Sequence, residues 1–181
     1  MDFTPLHAKL VHLPLALAVI LPLLNFGLLL AWWRQWLPRR IWILSACLHA
    51  MMTLSAFVAM QTGESDEHQV EKVVEKHEIH EHEEAAELFL FSTVGALLLA
   101  LVAAIAEKEN IAMKMAIATT VASILCTFLA IEAGEHGGKL VYKYGAGRAF
   151  SPTKYGGIIK PGEETKIGQE YDQDGTVDEG H

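Results

Sequence analysis

Apolar and polar residues are segregated along this chain rather than interleaved. Four long apolar runs alternate with polar segments, and each run has the roughly 20 residues that a helix needs to cross a bilayer. Backbone groups inside a bilayer must satisfy one another, so these runs are predicted to be helices. The predicted spans are residues 10–33, 41–60, 88–106 and 111–133. The chain is therefore predicted to be an integral membrane protein.

The connections between the spans predict how the helices are arranged. The first and third connections, residues 34–40 and 107–110, are short, and short connections join antiparallel neighbours. We therefore expect an all-α fold, an up-down-up-down four-helix bundle within residues 1–147. Valines at helical spacing in the long second connection predict an amphipathic helix lying over the bundle. Residues 148–181 are predicted to form an irregular polar tail.

Composition narrows the class of protein. The chain has 181 residues, of which 51% are hydrophobic, and a formal net charge of −8. No basic face is present to neutralise phosphates, which excludes a nucleic-acid-binding protein. The segregation of apolar runs excludes a soluble α/β enzyme. No Gly-x-Ser-x-Gly elbow or phosphate-cradling glycine loop is present either, so the sequence assigns no enzymatic activity.

Basic residues differ in density between the two sides of the predicted bundle. Arg34, Arg39 and Arg40 lie in one short connection, whereas the lysines of the opposite side are spread over longer segments. Dense basic residues in short loops are typical of the cytoplasmic side. We expect a multi-pass membrane protein with both termini extracytoplasmic.

Histidines are concentrated at one face of the predicted bundle. In an antiparallel bundle the starts of the first and third spans and the ends of the second and fourth lie together. Seven of the nine histidines belong to those four ends: His7, His12, His68, His77, His80, His82 and His136. Neutral imidazole is the commonest metal ligand, and no cysteine at this face offers a thiolate site. The pattern predicts a haem or a metal ion.

The leading hypothesis is a b-type haem held between the helices. We expect His12, His82 and His136 to be ligands, with His7 as a fourth. A haem needs imidazoles on different helices that face each other across the iron, and the small residues of the last two spans leave room for it. The protein would then pass electrons between a quinol in the bilayer and an external redox protein.

Two other hypotheses stay open. The density of glutamates at the same face favours a non-haem site for an iron, copper or zinc ion. Its candidate ligands are His77, His80, Glu83, Glu84 and Glu135, together with His12, His82 and His136. In that hypothesis His77, His80 and Glu84 continue the inward stripe of the amphipathic helix. The third hypothesis is a structural subunit of a larger membrane complex or a homo-oligomer.

Two segments carry a family resemblance. They are residues 7–17, HAKLVHLPLAL, and residues 134–147, GEHGGKLVYKYGAG. Together with Thr62-Gly63 and a His-Glu pair best matched by His82-Glu83, they resemble the bacterial predicted membrane proteins known as domain of unknown function 2231, over roughly residues 4–147. The family pattern has His-Pro where this chain has His7-Ala8.

That resemblance implies a four-helix membrane domain. It also implies redox partners, because similar domains occur fused to Rieske-type or c-type cytochrome modules. We therefore expect the protein to lie in the lipid bilayer of the bacterial inner membrane. Its redox partners would be a quinone within the bilayer and a cytochrome c or a Rieske-type protein outside it.

Overall fold

A computed structural model describes residues 6–150, and every regular element in that range is helical. The α-helices are α1 (Leu6–Leu10), α2 (His12–Trp33), α3 (Trp42–Val70), α4 (Lys76–Ile105) and α5 (Glu109–Tyr142). Two short 3-10 turns, Arg39–Ile41 and Ala146–Phe150, complete the described chain. The predicted all-α fold is confirmed. The predicted tail from residue 151 onward lies outside the described residues.

Four helical segments are long and apolar enough to cross a membrane. They are Leu6–Trp33, Arg39–Val70, Lys76–Ile105 and Glu109–Tyr142. Each matches one predicted span, and only the third ends short of the prediction, by one residue. The last three segments continue for several residues beyond the apolar run at one end, because helical hydrogen bonds form in water as well as in lipid. The prediction of a four-span membrane protein is confirmed.

Each long helix packs against two others. Helix α2 contacts α3 and α5, and α4 contacts the same two helices. Helices α2 and α4 therefore stand diagonally across the bundle, as do α3 and α5. A hydrogen bond of 2.7 Å between His7 Nδ1 and the carbonyl oxygen of Ala59 joins α1 to α3 near the end of α3. The end of the bundle that contains α1, the end of α3, the start of α4 and the end of α5 is called the polar end below.

Small side chains line the contact between α4 and α5, and many large apolar side chains face outward. Ala96, Ala100, Ala112 and Ala116 have no exposed surface, and they allow α4 and α5 to approach closely. Large apolar side chains that are more than half exposed occur on all four spans, among them Leu23, Leu54, Phe91 and Phe128. Such an arrangement suits a bundle whose solvent is lipid.

Buried residues recur at alternating spacings of three and four along the helices. In α4 they are Ile79, Phe89, Thr93, Ala96, Ala100 and Ala103. This spacing is typical of antiparallel helices that pack with a small crossing angle. The interior face of each helix can therefore be followed from the membrane into the polar end.

The segment between the second and third spans differs from the prediction. No separate amphipathic helix lies there: α3 continues to Val70, a turn occupies residues 71–75, and α4 begins at Lys76. Val74 and Ile79 are buried, but the side chains of His77 and His80 are 75% and 66% exposed. The turn interrupts the helical phase, so a stripe extrapolated from the valines does not continue across it.

Candidate functional site

A cavity of about 300 Å³ lies at the polar end. Helices α1, α3, α4 and α5 all contribute to it, together with the Ala146–Phe150 turn. Its volume is at the lower end of the range for ligand-binding pockets. Its walls are mainly apolar, and two imidazoles, those of His7 and His82, line it.

Carboxylates surround the apolar part of the cavity. Glu64, Asp66, Glu67, Glu83 and Glu87 all contribute to its lining, and no lysine or arginine among the described residues does so. Asp66 Oδ2 is buried and has no hydrogen-bond partner within residues 6–150. Unpaired buried oxygens are costly, so this side of the cavity favours a cation or a hydrogen-bond donor.

The two cavity imidazoles form a close pair. The ring centres of His7 and His82 are 6.1 Å apart, and the ring planes are crossed at 81°. His7 comes from α1, which leads into α2, and His82 comes from the start of α4. The pair therefore joins the two diagonal helices that do not otherwise pack closely.

Helix α3 orients the imidazole of His7. With Nδ1 protonated, the ring donates a hydrogen bond to the carbonyl of Ala59 at 2.7 Å, which leaves the lone pair of Nε2 available. One turn later, Gly63 provides space for the ring, since a Cβ atom there would lie 3.2 Å from both Cε1 and Nδ1. The carbonyl and the glycine together fix the tautomer and the orientation of the ring.

Helix α5 holds the imidazole of His82 in a similar way. A Cβ atom on Gly137 would lie 3.1 Å from His82 Cε1, and the ring also lies near the backbone carbonyl of Ala133. His82 Nδ1 is buried and has no hydrogen-bond partner among the described residues. It is thus a ring nitrogen inside the bundle that can accept a further partner.

The family pattern described as "Predicted membrane protein (DUF2231)" matches residues 3–149. The chain belongs to this family. No curated protein and no solved structure matches it. Three segments of the family resemblance meet at the cavity of this DUF2231 domain: the opening histidine motif through His7, the Thr-Gly pair through Gly63 and the closing motif through Gly137.

Two of the predicted haem ligands in the DUF2231 domain lie elsewhere. His12 is exposed, and its Nδ1 lies 3.3 Å from the carbonyl oxygen of Lys9 in the preceding helix, α1. The side chain of His136 is 24% exposed and its Nδ1 lies 3.6 Å from a carboxylate oxygen of Glu81. Neither residue lines the cavity. The structure therefore brings together His7 and His82, but not His12.

The predicted non-haem ligands are mostly on the surface of the DUF2231 domain. His80 pairs with Glu84 at 3.1 Å, and both side chains are about two-thirds exposed. Glu135 pairs with Lys139 at 2.9 Å on the outside of α5. Of this set only Glu83 and His82 line the cavity. Within residues 6–150 no three histidine, cysteine or carboxylate side chains lie close enough to hold a metal ion.

Sequence reasoning missed part of this site. It did not single out Gly63 as the neighbour of His7, or Asp66 as a cavity residue. A signal for the two contact glycines exists: each is preceded by a buried alanine four residues earlier, as Ala59-x-x-x-Gly63 and Ala133-x-x-x-Gly137. Pairs of small residues at this spacing let membrane helices, or here imidazole rings, approach the backbone.

Proposed function

We propose that this protein is a membrane electron-transfer protein that holds one b-type haem between His7 and His82. The observation that carries the proposal is the pair of imidazoles on diagonal helices, with centres 6.1 Å apart. A ring nitrogen binds a metal at about 2 Å, so two imidazoles on opposite sides of one iron have centres roughly 6 Å apart. The proposed ligand pair thus differs from the predicted set, in which His12 and His136 stood beside His82.

The surroundings of the pair suit this role. The backbone carbonyl of Ala59 holds the Nδ1 proton of His7, which is the usual outer-shell partner of a metal-binding imidazole. The apolar walls of the adjoining cavity suit a flat apolar cofactor. When bound, such a haem takes up and releases one electron. The chain's own part is to supply two oriented ring nitrogens and to limit access by water.

A non-haem metal ion is the second candidate. The observation that favours it is the pair of buried, unpartnered atoms beside the cavity, Asp66 Oδ2 and His82 Nδ1, in a lining rich in carboxylates. Iron, copper and zinc all accept histidine and carboxylate ligands. A protein site for such an ion needs at least three donors, whereas axial haem ligation needs two, so we rank haem first.

The location and partners follow from the same proposal. Arg34, Arg39 and Arg40 lie at the end of the bundle opposite the cavity, which supports a cytoplasmic position for that end. The polar end would then be extracytoplasmic in the bacterial inner membrane. Electrons would arrive from a quinol in the bilayer and leave to a cytochrome c or a Rieske-type protein outside.

The first experiment is a reduced-minus-oxidised absorption spectrum of the purified protein, with elemental analysis of the same sample. We expect a sharp α-band and one iron per chain, both lost in His7→Ala and His82→Ala and retained in the control His12→Ala. A featureless spectrum with stoichiometric zinc, copper or iron would replace the haem proposal by the metal-ion site. If the spectrum showed no haem and the elemental analysis found no metal, the hypothesis of a structural subunit would replace both proposals.

A further inference from the structure

The two halves of the bundle repeat the same arrangement of residues. In the first half, His7 stands near the start and the buried Ala59 follows it by 52 residues. In the second half, Ala133 follows His82 by one residue fewer. Each alanine is followed four residues later by the glycine that touches the imidazole of its own half. The histidine, the alanine and the glycine of one half therefore have counterparts in the other.

Burial along α3 and α5 extends this correspondence through the membrane. The shift in numbering that carries Ala59 onto Ala133 and Gly63 onto Gly137 carries every buried residue of α3 onto a buried residue of α5. Examples are Ser45 with Thr119, His49 with Ser123, and Met52 with Cys126. Amphipathic periodicity alone would align the buried faces of α3 and α5. Here the number of residues between the histidine and the matched alanine is also nearly the same in the two halves.

Helices α2 and α4 correspond in the same way. The shift that carries His7 onto His82 also carries five buried residues of α2 onto buried residues of α4. The pairs are Pro14 with Phe89, Ala18 with Thr93, Leu21 with Ala96, Asn25 with Ala100, and Leu28 with Ala103. Because α2 stands diagonally to α4, and α3 to α5, a two-fold rotation about the bundle axis exchanges the halves.

We infer that the bundle is a duplicated helix hairpin whose approximate two-fold axis passes between His7 and His82, and that Gly63 and Gly137 are matching positioning residues. Each glycine lets one ring lie against the backbone of the partner helix in its own hairpin. The two rings therefore approach the axis from matching positions in the two halves, and their planes are crossed at 81°. The inference of a duplication depends only on the matched residues and the packing of the helices. The role of the crossed rings as ligands rests on the proposed function.

The crossing has a spectroscopic consequence. When two axial imidazoles are perpendicular, the iron d orbitals that interact with them remain nearly equal in energy. Oxidised low-spin haem then gives a strongly anisotropic EPR signal, while parallel imidazoles give a rhombic one. A methyl group at either glycine would displace the neighbouring ring by a few tenths of an ångström, because the contact would be tighter than most Cβ contacts.

The test compares Gly63→Ala and Gly137→Ala with the control Gly138→Ala, where a Cβ atom meets nothing within 4 Å in the described chain. The first readout is the ¹⁵N NMR spectrum of histidine-labelled, cofactor-free protein, assigned with His7→Gln and His82→Gln. We expect Gly63→Ala to shift the ring resonances of His7, Gly137→Ala to shift those of His82 by a similar amount, and Gly138→Ala to shift neither. A glycine variant that left its own histidine unchanged, or a control that matched it, would overturn the positioning role.

The second readout is the EPR spectrum of the oxidised, haem-loaded protein. We expect the strongly anisotropic signal in the unmodified protein and its loss in each contact-glycine variant, but not in Gly138→Ala. A rhombic signal in the unmodified protein would overturn the crossed arrangement and leave the haem proposal standing. If the protein bound no haem, the proposed function would fail, and the NMR comparison would still decide the matching roles of the glycines.

Discussion

Hydrogen bonds to Asn25 join three helices, α2, α3 and α5, inside the bundle. The hydroxyl of Ser45 donates to Asn25 Oδ1 at 2.7 Å, and Asn25 Nδ2 donates to the hydroxyl of Ser123 at 3.2 Å. All three side chains have no exposed surface. In lipid there is no water to replace a lost partner, so we expect Asn25→Val to destabilise the bundle.

The size of the effect follows from the number of bonds. A hydrogen bond between membrane helices contributes about 0.6 kcal/mol on average and about 1.7 at most. Loss of two such bonds therefore predicts a decrease of about 1–3 kcal/mol in the free energy of unfolding. The measurement is reversible unfolding in mixed detergent and SDS micelles, followed by tryptophan fluorescence, with a double-mutant cycle between Asn25→Val and Ser123→Ala.

We expect a coupling energy of about 0.6 kcal/mol in that cycle. The matched control is Ser55→Ala, because the hydroxyl of Ser55 bonds to a carbonyl of its own helix, that of Met52, at 2.9 Å. It should show additivity with Asn25→Val. A coupling for Asn25 and Ser123 no larger than that of this control would refute the interhelical role of the hydrogen bond.

Two further predictions concern the ends and the surface of the bundle. Arg39 donates hydrogen bonds to the carbonyls that end α4, so Arg39→Ala should lower the free energy of unfolding by about 1–2 kcal/mol, and the exposed Arg40→Ala should not. Equal effects of the two variants in the same assay would contradict a stabilising role for the Arg39 hydrogen bonds. Cys47 faces outward from the second span, towards lipid, and Cys126 is buried in the bundle, so in the folded, detergent-solubilised protein an uncharged maleimide should label Cys47 faster than Cys126, and in SDS it should label both thiols; labelling of Cys126 at the same rate as Cys47 in the folded protein would argue against its burial.

The four spans were predictable because a helix that crosses lipid needs a run of about 20 predominantly apolar residues. The predicted fourth span, residues 111–133, lies within α5, but the helix continues to Tyr142. The apolar signal ends where the hydrocarbon ends, and hydrogen bonding continues the helix beyond it. The ends of the helices, which carry the site, are therefore the part that hydropathy describes least well.

The choice among the histidines depended on helical phase rather than on composition. Followed back from Phe89 at spacings of three and four, the interior face of α4 passes through His82 and misses His80. The same rule along α5 leads from Ala133 to Gly137 and misses His136. The sequence therefore contained the information for His82, which the family resemblance also favoured. The phase taken from the valines crossed a turn and led instead to His77, His80 and Glu84.

The residues that form the polar end lie far apart along the chain, and this separation sets the order in which they can meet during synthesis. His7 can reach the carbonyl of Ala59 once α3 has been made, because synthesis proceeds from the N-terminus. The contact between His82 and Gly137 has to wait for the last helix. A nascent chain thus has one imidazole in place well before the other. Any group held between the two rings must be loaded after all four spans have entered the membrane, so insertion can be completed without it.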